Sequence, residues 1–115
     1  MANSVSYNDL KGLVGKSPNL ILIDVRTKEE VARGRIPGAA HIPLNEVETA
    51  LQMNPDDFQA KYGIPKPAKL APELVFHCQS GRRGEVAMRK AHQLGYEKAR
   101  NYSGGYSDWS MRERK

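Results

Sequence analysis

The chain has 115 residues, of which 39% are hydrophobic and 27% are charged; this length and composition fit one folded domain and argue against disorder. Because it contains a single cysteine and three scattered histidines, an intramolecular disulfide is excluded and no paired ligand spacing for zinc is present. The net charge of +5 is compatible with three kinds of anionic partner: a nucleic acid, a membrane surface or a small anionic substrate.

Two of these partner classes are disfavoured by the sequence. No apolar run approaches the roughly 18 residues of a membrane span, and the opening MANSVSYNDL carries Asp9 and no basic residue, unlike a signal or transit peptide. Lysines and arginines are dispersed and the aromatic residues form no stacking set, so nucleic-acid binding is also disfavoured. We therefore expect a cytoplasmic protein, in a reducing compartment, that binds a small anion.

The first third of the chain predicts a buried strand between two short helices. A capping-box pattern beginning at Ser6 predicts the first helix. The continuous apolar run at residues 20–25 predicts a strand buried on both faces. A second capping box, formed by Thr27 and Glu30, predicts a brief helix that ends at Gly34.

The middle of the chain predicts irregular connections and two more helices. Residues 36–44 contain two prolines and a glycine, which favour an extended connection ending in a small strand. A helix is predicted over residues 45–51, and Asn54 caps another whose first residue is Pro55. The basic, proline-rich residues 63–72 predict a surface loop.

The last third predicts the remaining strands and helices. Residues 74–78 form a second buried strand, and residues 84–95 a helix whose alanines allow close approach to a sheet. Residues 99–105 predict a last short strand and a turn, and residues 106–115 a final helix. Because strands alternate with helices, we predict one α/β domain over residues 1–115, with a mainly parallel central sheet flanked by helices on both faces.

The single cysteine, Cys78, lies where ligands usually bind in such a fold. It ends a predicted strand, and ligands of open α/β sheets collect beyond the carboxyl ends of the strands. A loop between a strand end and a helix start presents backbone N–H groups to an anion, and glycines permit its sharp turns. The residues that follow the cysteine in this loop are Gln79, Ser80, Gly81, Arg82, Arg83 and Gly84.

These loop features favour the thiolate form of Cys78. Helix N-termini and nearby guanidinium groups stabilise a thiolate, which is a nucleophile. Positive charge is unfavourable at a helix N-terminus, so Arg82 and Arg83 indicate substrate binding rather than a merely charged helix start. An inert buried thiol is the alternative for Cys78. The adjacent His77 should point to the opposite face of the strand, so we expect it to pack against a helix rather than act as a base.

The sequence resembles the rhodanese sulfurtransferase family along essentially its whole length. The resemblance lies in CQSGRRG after LVFH, together with DVRTKEE, GRIPGAAHIP and NYSGGYSDW, which occur in the family's order. The insert ALQMNPDDFQAKYG resembles that of small single-domain members that transfer sulfur from thiosulfate to glutathione. Two positions depart from the common pattern: Gln79 stands where many members have a basic residue, and Arg35 where many have histidine.

The resemblance implies a single rhodanese domain and a covalent mechanism. Cys78 would attack the outer sulfur of thiosulfate, release sulfite and become a persulfide, from which glutathione or another thiol takes the sulfur. The backbone amides of residues 79–83 would hold the persulfide and the leaving group, and the two arginines would attract thiosulfate. No metal or organic cofactor is implied, and we expect a monomer with an open site. The residues implied in binding are Gln79, Ser80, Gly81, Arg82 and Arg83.

The resemblance also implies supporting residues outside the loop. Asp24 and Arg26, at the end of another strand, would brace the loop without taking part in the chemistry. Alternatively, Asp24 caps a helix or pairs with Arg26. Trp109 would pack near the loop as part of the closing helix, although a lone tryptophan is most often core or rim packing.

Two other functions compete with sulfur transfer. A cysteine-dependent phosphatase would need arginine six positions after the cysteine, where this chain has Gly84; Arg83 is one position early. A non-catalytic rhodanese-like module, used as a sulfur carrier, regulator or docking unit, is the alternative from a different class. Such modules typically lack the cysteine, which is present here.

Overall fold

The computed structural model describes residues 3–114, which form a five-stranded sheet and six helices. The strands are β1 (Ser4–Val5), β2 (Ile21–Asp24), β3 (Ala40–His41), β4 (Leu74–His77) and β5 (Arg100–Tyr102). The helices are α1 (Tyr7–Lys11), α2 (Lys28–Ala32), α3 (Leu44–Ala50), α4 (Pro55–Tyr62), α5 (Arg82–Gln93) and α6 (Gly105–Glu113). None of the helices in this part of the chain is long and apolar enough to cross a membrane.

The sheet is parallel throughout, in the order β1-β5-β4-β2-β3. β4 therefore lies at the centre, beside β2, and their register pairs Asp24 with His77. Because all five strands run in one direction, their carboxyl ends meet at a single edge of the sheet. The predicted α/β architecture is confirmed.

Hydrophobic cores cover both faces of the sheet. On one face, Ile23 and Phe76 belong to a cluster that includes residues of α3, α4 and α5. On the other, Leu22 and Val75 belong to a smaller cluster that includes residues of α1 and α6. Alternation along each strand sends neighbouring side chains to opposite faces, so both faces of the central strands are apolar, as the continuous runs predicted.

Most elements lie close to their predicted positions, with three differences. β1 was not predicted. α5 begins at Arg82, two residues before the predicted start, and follows Gly81, which has a φ of 104° and makes no side-chain cap. α3 begins at Leu44 rather than at residue 45, after Pro43, which also makes no side-chain cap. Residue 115, the end of the predicted final helix, lies outside the described residues.

Candidate active site

Cys78 lies directly after β4, with its side chain at the start of α5. The residue is 1% exposed, and its Sγ accepts a hydrogen bond of 3.0 Å from the backbone N–H of Gly81. The first amides of a helix have no partner inside the helix, and they carry the positive end of its dipole. An anionic sulfur at this position is therefore stabilised by one direct hydrogen bond and by the field of a 12-residue helix.

Close packing holds the loop between Cys78 and α5 in place. Gly81 has a positive φ, and a Cβ on it would overlap the backbone carbonyl of Ser103. The buried side chain of Asn101 donates a hydrogen bond of 3.0 Å from its Nδ2 to the carbonyl oxygen of Gly81. Only glycine combines this backbone conformation with this close approach, so the N–H of Gly81 is fixed in its direction toward the sulfur.

The first turn of α6 binds the other side of the same loop. The backbone N–H of Tyr106 donates to the carbonyl of Cys78 at 2.8 Å, and that of Ser107 donates to the carbonyl of Gln79 at 3.0 Å. These bonds hold two carbonyl dipoles toward α6 and away from the sulfur. The loop consequently offers the sulfur its amides rather than its oxygens, which is the arrangement an anion requires.

A buried ion pair supports the loop from the neighbouring strand. Arg26, which is 1% exposed, donates to both carboxylate oxygens of Asp24, with the shortest bond at 2.7 Å. The remaining Nη1 of Arg26 donates to the side-chain oxygen of Gln79 at 3.1 Å. Burial raises the pKa of Asp24, but the hydrogen bonds from Arg26, together with the electrostatic interactions with His77 and Arg26, more than offset this, so the pKa lies below its usual value. The ionised pair thus links the end of β2 to the cysteine loop.

The two loop arginines differ in their surroundings. Arg83 donates to both oxygens of Glu30 in α2, at 2.7 and 2.9 Å. These bonds lower the pKa of Glu30 to about 2. Arg82 is exposed at the rim of the loop, and within residues 3–114 its side chain makes no ion pair. Arg82 is thus the freer cation, whereas Arg83 is held by a carboxylate.

His77 lies behind the loop, on the side of the sheet covered by α6. Its Nδ1 is 3.1 Å from the carbonyl oxygen of Cys78, and its Nε2 is 3.6 Å from a carboxylate oxygen of Asp24. The residue is fully buried, and this burial lowers its pKa, which favours the neutral ring. In the described residues no hydrogen bond joins the ring to the sulfur, in agreement with the expectation that His77 packs rather than acts as a base.

Comparison with known proteins identifies the family of this chain. Residues 6–112 match the rhodanese-like domain family, which is most of the chain. The chain belongs to the rhodanese family. The human thiosulfate:glutathione sulfurtransferase is 48% identical over 112 residues, covering 97% of this chain and 96% of its own. The Saccharomyces cerevisiae thiosulfate:glutathione sulfurtransferase is 39% identical over 107 residues, covering 92% and 76% of the two chains.

Solved rhodanese structures share the fold over nearly the whole chain. The human single-domain sulfurtransferase TSTD1 superposes with a TM-score of 0.92 at 47% identity, covering 97% of this chain and 98% of its own. The S. cerevisiae single-domain sulfurtransferase RDL2 superposes with a TM-score of 0.83 at 28% identity, covering 96% and 89% of the two chains. Architecture and order of elements are therefore those of single-domain rhodaneses.

The loop of residues 78–83, called the rhodanese loop below, gathers most, but not all, of the residues predicted for the site. Ser80 is exposed beside Arg82, and Gln79 is half-buried against Arg26. Trp109 instead lies in the smaller core, 5% exposed, with its ring 5.5 Å from that of Tyr7. α6 contacts the loop one turn earlier, through the backbone amides described above. Among residues 3–114, no group of three or more His, Cys, Asp or Glu residues is placed to hold a metal ion.

Sequence reasoning missed three residues that shape the rhodanese loop. The capping-box pattern predicts Glu30 only as a helix cap, although its carboxylate accepts hydrogen bonds from both Thr27 and Arg83. Asn101 and Tyr106 lie in a predicted strand and a predicted helix. None of the three is close to the cysteine in sequence, and no local pattern marks them. The one available signal is the polar Asn101 within a predicted strand, since a polar group that such a strand buries is nearly always hydrogen-bonded.

Proposed function

We propose that this rhodanese protein is a thiosulfate sulfurtransferase, which carries the sulfane sulfur of thiosulfate on Cys78 and passes it to a thiol such as glutathione. Relatives named for this reaction in human and yeast support the proposal, at identities of 48% and 39%. The observation on which it depends is the position of the Cys78 sulfur, 3.0 Å from the Gly81 N–H at the start of α5. That arrangement gives the nucleophilic sulfur a hydrogen-bond donor and leaves it without a partnering base.

In the first half-reaction the Cys78 thiolate attacks the outer sulfur of thiosulfate. A bond forms between the two sulfurs, the sulfur–sulfur bond of thiosulfate breaks, and its electron pair leaves with sulfite. The terminal persulfide sulfur is then an anion surrounded by the loop amides. Because Arg82 is exposed on the rim, it attracts the doubly charged donor, whereas the charge of Arg83 is balanced by its pair with Glu30. Gln79, Ser80 and Gly81 supply amides to the persulfide and to the leaving sulfite.

In the second half-reaction a thiolate acceptor attacks the terminal sulfur of the persulfide. The bond to Sγ breaks and its electron pair returns to Cys78, which is again a thiolate, while the acceptor leaves as a persulfide. The acceptor loses its own proton to solvent before it attacks. Asp24 and Arg26 act through Gln79, keeping the loop in place during both steps. A monomeric state and a cytoplasmic location remain predictions, which sedimentation and fractionation of cells would test.

Intact-protein mass spectrometry after thiosulfate treatment tests the proposal. Wild-type protein should gain one sulfur atom and release one sulfite, and glutathione should remove the added sulfur. Cys78→Ser, the matched control, should gain nothing. A wild-type chain that takes up sulfur but shows no steady turnover would instead indicate a sulfur carrier or regulatory module. No adduct on the wild type would refute both functions.

A further inference from the structure

An open groove of about 530 Å³ runs along α5 beside the rhodanese loop, on the side that faces α3. Leu44 and Val86 are among its apolar lining residues, and Val86 is 40% exposed, which is unusual for a large hydrophobic residue in the described part of the chain. Arg83 lines the groove near the loop, and Lys90 lines it seven residues further along the helix. At 1.5 Å per residue, these two side chains start roughly 10 Å apart along the helix axis.

At the far part of the groove Lys90 is only loosely paired with Glu48, an anion that lies beside the groove rather than among its lining residues. Lys90 Nζ lies 3.5 Å from Glu48 Oε1, with side chains 37% and 61% exposed. A distance of 3.5 Å is beyond the range of a good hydrogen bond, so each group keeps its capacity to bind a ligand. Arg83 differs, because both of its terminal nitrogens already bind Glu30.

We propose that this groove binds the sulfur acceptor, a glutathione-like γ-glutamyl tripeptide, with the γ-glutamyl head on Lys90 and Glu48 and its thiol toward Cys78. This inference rests on the proposed function. The head carries an α-carboxylate and an α-ammonium on one carbon, which are complementary to the Lys90 ammonium in the groove and to the Glu48 carboxylate beside it. An extended tripeptide spans about 10 Å, so a head held at Lys90 leaves the rest of the peptide lying along the groove in the direction of Arg83 and the loop.

The opposite side of α5 does not offer the same chemistry. A second groove there is lined by Ser80, Arg82, Glu85 and Arg89, among others. Its distal charges are already joined, because Arg89 donates to Glu85 at 2.7 Å within one turn of the helix. The exposed Arg82 beside the loop suits a small dianion.

Steady-state kinetics of Lys90→Met and Glu48→Gln test the acceptor site. In a double-displacement reaction, kcat/KM for each substrate reports only its own half-reaction. We expect kcat/KM for glutathione to fall about fivefold in each variant, as for a loss of one exposed charge contact. The value for thiosulfate is the internal reference. With 2-mercaptoethanol, a thiol that lacks the amino-acid head, the variants should match the wild type.

Lys61→Met is the matched control, because Lys61 Nζ also lies 3.5 Å from a glutamate oxygen, that of Glu46, but outside the groove. If Lys61→Met lowers kcat/KM for glutathione as much as Lys90→Met, the inference is wrong. Equal losses with 2-mercaptoethanol, or no loss with glutathione, would overturn it as well. Absence of sulfite release in the wild type is a separate result, which would refute the proposed function and this inference with it.

Discussion

Gly81→Ala probes the geometry that directs an amide to the sulfur. Gly81 has a φ of 104°, and alanine in this region is strained by about 1–2 kcal/mol. The new Cβ also meets the carbonyl of Ser103, which is backbone and does not move freely. Together these effects should lower the free energy of unfolding by about 2–5 kcal/mol. A chain of 115 residues is expected to have roughly 6–17 kcal/mol, so the variant should still fold.

The same substitution should slow the chemistry. A hydrogen bond to a charged acceptor contributes about 1.5–3 kcal/mol, so loss of the Gly81 N–H from Sγ should reduce single-turnover sulfite release by about 10- to 100-fold. The measurement is sulfite release in a rapid-quench experiment with excess thiosulfate, alongside urea unfolding of the same preparation.

Gly63→Ala is the matched control for both measurements. Gly63 has a φ of 79° at the end of α4, but its Cβ would have nothing within 4 Å. It should therefore show the conformational strain alone, with an unchanged rate of sulfite release. If the two variants lose equal stability and release sulfite at equal rates, the close approach at Gly81 and its bond to the sulfur do not have the roles assigned to them.

Three further predictions concern the buried and half-buried charges. Burial lowers the pKa of His77 below its ordinary value of 6.5, so as the pH falls the unfolded chain binds this proton before the folded chain does. The free energy of unfolding in urea should therefore fall as the pH drops below about 6.5. His77→Gln should lack this part of the pH dependence, and a variant with the same pH dependence as the wild type would contradict the role of His77. Arg26→Met should lower the free energy of unfolding by about 3–5 kcal/mol because it leaves Asp24 buried without its partner. In a double-mutant cycle, adding Asp24→Asn to this variant should recover part of the loss; strictly additive losses of the two single variants would refute the interaction between the two side chains. The pKa of Glu30 is about 2 in the folded chain and 4.5 ordinarily, so its pair with Arg83 should stabilise the protein fully above about pH 4.5 and progressively less toward pH 2. The thermal midpoints of the wild type and of Glu30→Gln should therefore converge as the pH falls from 4.5 to 2. A difference between the midpoints that stays constant over this range would exclude a stabilising role for the ionised pair.

Local signals predicted the fold well because several elements are encoded within a few residues. Ser6 and Thr27 each form the capping box that their sequence pattern indicates. Asn54 caps α4 with Pro55 in its first turn, as predicted. The continuous apolar runs predicted the two central strands, since a strand buried on both faces cannot alternate with polar residues.

The differences arise where structure depends on distant partners. β1 has two residues, too few for a periodic pattern, and forms because β5 pairs with it. α5 begins two residues early because its start is fixed by the packing of Gly81 on Ser103 rather than by a capping side chain. The pair between Arg83 and Glu30 joins residues 53 apart in sequence. No pattern along the chain gives such a contact; it follows only from the order of strands in the sheet.

The burial of Cys78 determines how accessible the transferred sulfur is. Cys78 is only 1% exposed, so its Sγ is almost entirely covered. A sulfur–sulfur bond is about 2 Å long, so in the loaded enzyme the transferable atom projects beyond its carrier toward the mouth of the loop. We therefore expect only slender reagents to reach the free thiol, whereas the persulfide form should offer its terminal sulfur to larger ones. A bulky thiol-reactive dye should accordingly label the persulfide form of the protein in preference to the free thiol, so the extent of labelling measures the fraction of protein that carries sulfur.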